Sequence, residues 1–551
     1  MTPVPFFTTW VIIVAKQPVQ HSSADHKLLA FDMGSVTHTA ADELHNGWWG
    51  GGLAYREREW PSAECYTQLT FPTSMGLLVM KYGGTSVGDA PRIRQAATVV
   101  HEHAERGDHV VVVVSALSQV TDCILKVLDA ARLGNRAEVE QEMKLLTERH
   151  EKVLAELFDE TNRGSVAAQV NAVLGRFREF CSALLLLKSA TPQVMDMVLP
   201  LGEQISAQMF VACLQQLGTR AEFIDSARVL VTDDKFGDAA PDMDSTRQRC
   251  DEVLRPLLNW GAIPVVMGYS GATLSGQSTT LGRGGSDYSA TILGAAMKAD
   301  EVWIWTDVDG VLTADPRVCP DARTLPEITF AEAIELSYYG AKVIHRKSIR
   351  PTMELEIPVW IKNSLKPYLR GTKIVEALPD SNRPVKAVTA VARACLITLT
   401  TRRDVHFAEI FGRLFLRLGH EHVDVLFTTQ SSSEDSLGLV LREEDTEHVV
   451  RAIHRLFRTE LKHGVLNPIS VHRDVAVVAV LGSGMKGTCG ILGRLFSAVA
   501  RNNVSVIAVA QGASELNICF AVAASRVNDV LRAVHQEFLG EAAPTRAAHQ
   551  G

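Results

Sequence analysis

The stretch Thr279–Asp315, TTLGRGGSDYSATILGAAMKADEVWIWTDVDGVLTAD, decides the fold. It opens on a polar, glycine-rich loop from Thr279 to Ser286. Asp287 stands at the position of a helix N-cap, and Tyr288 to Ala299 runs at helical spacing. The apolar run Val302-Trp303-Ile304-Trp305 has the length of a buried strand and ends on the polar turn Thr306-Asp307-Val308-Asp309-Gly310. Helix entries with free amides attract anions, and open α/β sheets place ligands at the carboxyl ends of their strands. One segment therefore offers two phosphate-facing elements, an amide-rich helix start and an acidic strand tip.

Upstream, Gly76 to Met80 reads as a short strand, followed by Lys81-Tyr82-Gly83-Gly84-Thr85-Ser86-Val87-Gly88. Asp89 can cap the next helix, Pro91 suits its first turn, and Ile93, Ala96, Ala97, Val100 and Ala104 form one apolar face closed by Gly107. Val110 to Val114 is a β-branched run typical of a strand covered on both faces. The result is a βαβ unit whose first turn carries glycines, hydroxyls and Lys81, a set suited to a polyphosphate. It is not a Walker loop, because GxxxxGK[ST] is absent.

The polar loop Ser115 to Asp122 leads into a mostly helical region ending near Leu217, including Glu138 to Leu157 and Val166 to Lys188. Leu201-Gly202-Glu203 opens a further helix; taken alone, Glu203 there is a favourable dipole partner. Alternation then resumes, with strands at Phe223-Ile224 and Ala262 to Met267 around a helix from Asp244 to Trp260. After the central segment come a helix from Phe330 to Tyr339, the turn Gly340 to His345, a last strand Ile357 to Ile361, and an exit at Gly371-Thr372.

Beyond about Pro379 an internal repeat appears. Gly412-Arg413-Leu414-Phe415 matches Gly493-Arg494-Leu495-Phe496, and Gln430, Ser433 and Glu434 match Gln511, Ser514 and Glu515, at one offset of 81 positions. Each copy reads strand, helix, strand, strand, helix, a ferredoxin-like order.

Composition sets the outer limits. A chain of 551 residues with 46% hydrophobic residues supports two or more packed domains. A net charge of −8 with no basic stripe argues against nucleic acid as a partner. No apolar run reaches the roughly 18 residues of a membrane span. Nine cysteines without CxxC pairs read as reduced thiols in a cytoplasmic protein. Residues 1–74 show no sustained period, so this extension is expected to be disordered and folding to begin at Met75. The tail 541–551 is also expected to be disordered.

Taken together, Lys81–Gly88, Thr279–Asp287, Trp305–Arg317, Gly340–His345 and Ile361-Lys362-Asn363 resemble the aspartate kinases of the amino-acid kinase superfamily. The repeats resemble ACT domains, small modules that bind amino-acid effectors. The resemblance implies an α/β amino-acid kinase fold, a three-layer αβα sheet over 75–378. It further implies α+β ferredoxin-like ACT repeats over 388–465 and 466–540. The implied reaction moves the ATP γ-phosphate to the β-carboxylate of L-aspartate, the first step toward lysine, threonine and methionine. A carboxylate acceptor is already ionised, so the chemistry needs alignment and positive charge rather than a base.

The same resemblance assigns residues. Lys81, Gly83 and Gly84, with Ser115 nearby, would lie against the transferring phosphate; Tyr82, Ser286, Thr306, Asp307, Leu312, Asp315, Arg317 and Lys342 would hold ATP, Lys342 at its phosphates. Asp287 would orient Lys81. Arg283, with Gly284, Gly285 and Ser286, would clamp the aspartate carboxylate; Glu203 would pair with its α-amino group, and Thr121 would complete the pocket. Mg²⁺ would ride on the nucleotide phosphates, with no metal site of the chain's own. Competing assignments pair Arg283 with Asp287 across the loop, make Lys342 a helix C-terminal cation, leave His345 structural, and put Trp303 and Trp305 in the core. Arg346 stands where the family has proline, and Val120 precedes Thr121 where some members have a second threonine.

For the repeats, the resemblance implies effector contacts at Met485, Gly490, Gln430 and Gln511. The first copy carries Thr401, Arg403, His406 and Glu409 where the second has glycines. The glutamine settings are similar to those of threonine-responsive, dehydrogenase-linked aspartokinases more than to lysine-responsive ones, although a dehydrogenase half is not expected here. Assembly into a homodimer or larger through the ACT units is expected. Two other functions compete: a kinase for another small carboxylate such as glutamate, and a catalytically silent amino-acid sensor.

Overall fold

The computed structural model describes residues 76–341, 344–378, 383–402, 407–431 and 436–540. The expectations for the 1–74 extension, for the 541–551 tail, and for Lys342, Arg403 and His406 fall outside them.

The first half is built on β1 (Leu77–Tyr82), α1 (Ala90–Glu105) and β2 (His109–Val114). Asp89 caps α1 by accepting the Arg92 N–H at 3.0 Å. A helical block follows: α2 (Val120–Arg132), α3 (Arg136–Leu157), α4 (Glu160–Leu187), α5 (Pro192–Val198) and α6 (Leu201–Gln216). Contrary to the expectation that no stretch matches a membrane span, Pro192–Gln216 is long and apolar enough. However, 78% of its most apolar window is buried, as in a core helix.

Next come β3 (Ala221–Ile224), β4 (Val231–Thr232), α7 (Met243–Asn259), β5 (Ile263–Met267), β6 (Ser270–Thr273), β7 (Ser278–Thr280), α8 (Gly285–Met297) and β8 (Glu301–Thr306). The half closes with β9 (Glu327–Thr329), α9 (Phe330–Tyr338), α10 (Arg346–Met353), β10 (Val359–Asn363) and β11 (Thr372–Val375).

Eight strands form one sheet in the order β3-β5-β2-β1-β8-β10-β11-β9. From β3 to β10 the neighbours are parallel, so β1, β2, β5 and β8 deliver their carboxyl ends to one edge. The chain leaves β1 for β2 on one side, while β8 lies on the other. That reversal makes a topological switch point, where ligand crevices form. Successive β1 residues divide between two cores: Met80 and Tyr82 join the α1/α6 layer, while Val79 joins the α8 layer. The expected three-layer arrangement results.

Three details differ from the sequence reading. Gly371-Thr372 is not an exit: Thr372 begins β11, antiparallel to β10, so Ile357–Ile361 does not mark the last strand. The polar loop around Thr279 contains β7, which pairs with β6 in a separate small sheet, β4-β6-β7. Two- to four-residue strands fall below the window in which periodicity can be seen. The helix α10 was not read because Pro351 sits inside it.

The second half repeats one unit. The first copy is β12 (Ala387–Thr400), α11 (Phe407–His420), β13 (Val425–Ser431), β14 (Ser436–Arg442), α12 (Thr446–Leu456) and the short α13 (Arg458–Lys462). The second is β15 (Ser470–Leu481), α14 (Ile491–Arg501), β16 (Val506–Gln511), β17 (Asn517–Ala523) and α15 (Val527–Leu539). The starts of β13 and β16, and of β14 and β17, are separated by the 81 positions seen in the sequence. The copies join through β12 and β15 into one six-stranded antiparallel sheet, β13-β14-β12-β15-β17-β16, within a single chain.

Candidate active site

At the switch point lies a polar cleft of about 530 Å³. It is lined by Lys81, Gly84, Ser115, Thr121, Glu203, Arg283, Gly284, Gly285, Ser286 and Asp287, all of them sequence-predicted site residues.

Lys81 is the penultimate residue of β1 and is 8% exposed. Its ammonium meets Asp287 Oδ1 at 2.5 Å, an ion pair between side chains only 10% and 19% exposed. Asp287 is therefore not an N-cap. Gly284 takes that position in the left-handed region (φ 72°), and Asp287 is the third residue of α8 with its carboxylate committed to Lys81. The helix starts early because glycine adopts that conformation at no steric cost. Gly285 is needed for a different reason: a Cβ there would stand 2.6 Å from Tyr269 Cδ2. The α8 entry thus presents backbone N–H groups to the cleft, a suitable anion site. Arg283 makes no hydrogen bond or ion pair among the described residues; its alternative partner, Asp287, is taken by Lys81.

Glu203, in the first turn of α6, is 4% exposed, and its Oε2 has no hydrogen-bond partner among the described residues. Burial pushes its carboxyl up from 4.5 to about 7, against the opposing pull of the Ala116 and Glu203 backbone and the Lys81 charge. An unpaired buried carboxylate beside a cleft is a socket for a cation.

Other assigned residues stand elsewhere. Tyr82 does not line this cleft. Strand alternation turns it away from Lys81 into the core, where it stacks on Trp305 (centroids 5.8 Å, planes 3° apart) and packs on Phe210. Gly83 donates its N–H to Trp305 O at 3.1 Å, pinning the β1 turn to the end of β8. Thr306, Asp307, Leu312, Asp315 and Arg317 lie outside this cleft, at and beyond the tip of β8. Asp315 and Arg317 pair with each other at 2.7 Å.

His345 caps α10, accepting the Lys347 N–H at 3.3 Å. Met485 is 3% exposed and packs in the core of the second repeat. Gly490 begins α14 at φ 86°, and Gln430 and Gln511 are exposed at the ends of β13 and β16. Ser118, Gln119, Asp122, Gly237 and Tyr269 also line the cleft and were not assigned from the sequence. Positive φ at Gln119 (66°) and Tyr269 (75°) leaves no sequence signal.

A buried lysine, a glycine helix entry and a switch-point cleft make a site suited to binding an anion, in a chain that also carries a six-stranded repeat sheet. The family model described as the amino acid kinase family matches residues 76–363, and the chain belongs to that family; a model described as an ACT domain matches 478–538. Its relatives include aspartokinases. It is 30% identical to the lysine-sensitive aspartokinase 3 of Escherichia coli over 83% of this chain and 98% of that protein. It is 31% identical to a chloroplastic bifunctional aspartokinase/homoserine dehydrogenase of Arabidopsis thaliana over 84% of this chain and 51% of the relative. The chain thus spans about half the length of such bifunctional relatives. The crystal structure of E. coli aspartokinase III with aspartate and ADP superposes with a TM-score of 0.72 at 28% identity, covering 84% of this chain and 99% of that one.

Proposed function

We propose that the chain is an ATP-dependent aspartate kinase making 4-phospho-L-aspartate, with Mg²⁺ entering on the nucleotide. The observation that carries this reading is the single cleft in which Lys81, fixed by Asp287, faces both Arg283 and the unpaired Glu203. Arg283 offers a bidentate fork for the α-carboxylate, and Glu203 takes the α-ammonium. A β-carboxylate oxygen then attacks the γ-phosphorus; the new O–P bond forms as the bond to the β,γ-bridging oxygen breaks, and ADP leaves. Lys81 and the α8 amides offset charge on the non-bridging oxygens, each such donor worth about 3–4 kcal/mol in the transition state. Thr306, Asp307 and the 312–317 segment hold the nucleotide at the β8 tip, and the family resemblance adds Lys342 at its phosphates.

We assign residues 75–378 to the kinase unit, and 388–465 and 466–540 to the two ACT repeats. The repeats would bind threonine or lysine near Gln430, Gln511 and the Gly490 amide, and support a homodimer or larger assembly. The name of the E. coli relative supports lysine; the glutamine settings support threonine. Cytoplasmic residence is supported by the free thiols.

The test is a hydroxamate assay for acyl phosphate with aspartate, glutamate and no acceptor. Aspartate-dependent signal, lost in Lys81→Ala while the fold persists, is expected. Equal signal without an acceptor, or turnover retained in Lys81→Ala, refutes the reading.

A further inference from the structure

Asp196 lies outside every motif used above and is 1% exposed. From α5 its Oδ2 accepts the Gly237 N–H at 2.8 Å and the Thr280 N–H at 2.9 Å. Its Oδ1 accepts the Thr280 hydroxyl at 2.7 Å. A buried carboxylate is tolerated where its acceptor capacity is used, and here both oxygens are engaged.

The pieces it joins are the walls of the acceptor cleft. Through Leu199-Pro200, α5 runs directly into α6, whose first turn carries Glu203. Gly237 lines the cleft, and Thr280 ends β7 just before the loop that carries Arg283. Tyr269 braces the same wall: its backbone oxygen accepts the Leu281 N–H at 2.9 Å, and its ring lies against Gly285.

We propose that Asp196 is a positioning residue that fixes the separation between Glu203 and Arg283, and with it the length of amino-acid acceptor the cleft takes. This rests on the aspartate-kinase reading. Every α-amino acid presents the same ammonium and carboxylate. Once both are held rigidly, side-chain length decides whether the terminal carboxylate reaches the γ-phosphate. Misplacement of a reacting group by about 1 Å costs about a hundredfold in rate. Loosening the Asp196 tie therefore weakens aspartate use and the discrimination against glutamate. The nucleotide holders hang from β8 and are not touched by it.

The experiment compares full-length wild type, Asp196→Ala, Asp196→Asn and Thr280→Val in the hydroxamate assay, with aspartate, glutamate and ATP each varied. Asp196→Ala should raise KM for aspartate at least tenfold, leave KM for ATP within twofold, and cut the aspartate-over-glutamate ratio of kcat/KM at least tenfold. Asp196→Asn keeps an oxygen for the two N–H donors and should recover most of the loss. If Asp196→Ala does not fold, Thr280→Val decides, with an expected threefold or larger rise in KM for aspartate alone. Folded variants with unchanged KM for aspartate, or with both KM values rising together, overturn the inference while the parent reading stands. A wild-type chain inactive on aspartate overturns the parent reading and this inference with it.

Discussion

Replacing Glu203 with glutamine should make the folded chain more stable at pH 8 and unable to use aspartate. Burial lifts the Glu203 carboxyl from 4.5 to about 7. As pH rises, the unfolded chain therefore loses this proton first, near 4.5, while the folded chain keeps it until about 7. The group's favourable contribution is complete below pH 4.5 and disappears as pH climbs to about 7. At ~1.4 kcal/mol per pH unit the loss is about 3 kcal/mol.

Glutamine retains an oxygen for the Ala116 backbone but cannot ionise, so it escapes that loss. The stability difference between Glu203→Gln and wild type should thus grow by on the order of 2–3 kcal/mol from pH 5 to pH 8. Calorimetric Tm values across that range measure it. In parallel, isothermal titration with aspartate should show wild-type affinity rising about tenfold per pH unit below 7 and levelling above it, since an ionised Glu203 is the form that receives an ammonium. A stability difference that stays constant between pH 5 and 8 would refute the burial argument. Aspartate binding by the glutamine variant at wild-type strength would refute the socket.

His150, fully buried on α3 with Nδ1 2.7 Å from Leu146 O, is pushed down from 6.5 to about 4 by desolvation. Here the unfolded chain gains the proton first, so stability is complete above pH 6.5 and is lost as pH falls toward 4. The loss is about 3 kcal/mol, and His150→Leu should flatten it in acid Tm scans; an unchanged slope would mean the ring is not the cause. Gly285→Ala should cost about 1–3 kcal/mol and lower aspartate turnover through overpacking against Tyr269. Gly164→Ala in α4, with nothing within 4 Å of the new Cβ, should be neutral or stabilising by up to about 1 kcal/mol, and equal behaviour of the two would contradict the contact.

Periodicity and glycine punctuation in the sequence already marked most of the parallel core, the helical block and the 81-residue repeat. They did so because those elements are long and their faces are uniform. It was the resemblance to aspartate kinases that assigned Lys81, Arg283, Glu203 and Asp287 to one site; taken alone, Glu203 read only as a helix-dipole partner, and the structure lines one cleft with all four. What escaped was set by tertiary contact. Tyr82 carries a hydroxyl beside a phosphate loop, yet strand alternation sends it into an aromatic stack. Asp287 resembles a cap by spacing, but Gly284 begins the helix and frees the carboxylate for Lys81. The small sheet holding β7 is invisible because its strands have two to four residues and their partners are distant in sequence. Gly237 and Tyr269, which line the cleft, lie in loops beside that sheet's strands.

The repeat sheet is not an appendage to the kinase half, and the hydrogen bonds say where the two are joined. α9 is held along its length. The Ser483 N–H donates to Glu332 Oε1 at 2.8 Å, and Lys386 Nζ meets Glu332 Oε2 at 2.8 Å. Asn517 Nδ2 donates to Glu335, and the Tyr338 hydroxyl donates to Val425 O. Arg442 donates to Tyr338 O at 3.1 Å. These donors and acceptors come from both repeats, so a change in how the copies pair cannot leave every one of them in place. α9 leads to α10, and there Ser348 donates its hydroxyl to Gly284 O at 3.2 Å, in the turn that starts α8 beside Lys81 and Asp287. A ligand shifts such an equilibrium only by its differential affinity for the two arrangements. The loss of one or two of these part-buried hydrogen bonds, each worth about 1 kcal/mol net, would match the about 1–3 kcal/mol of a typical coupling between sites.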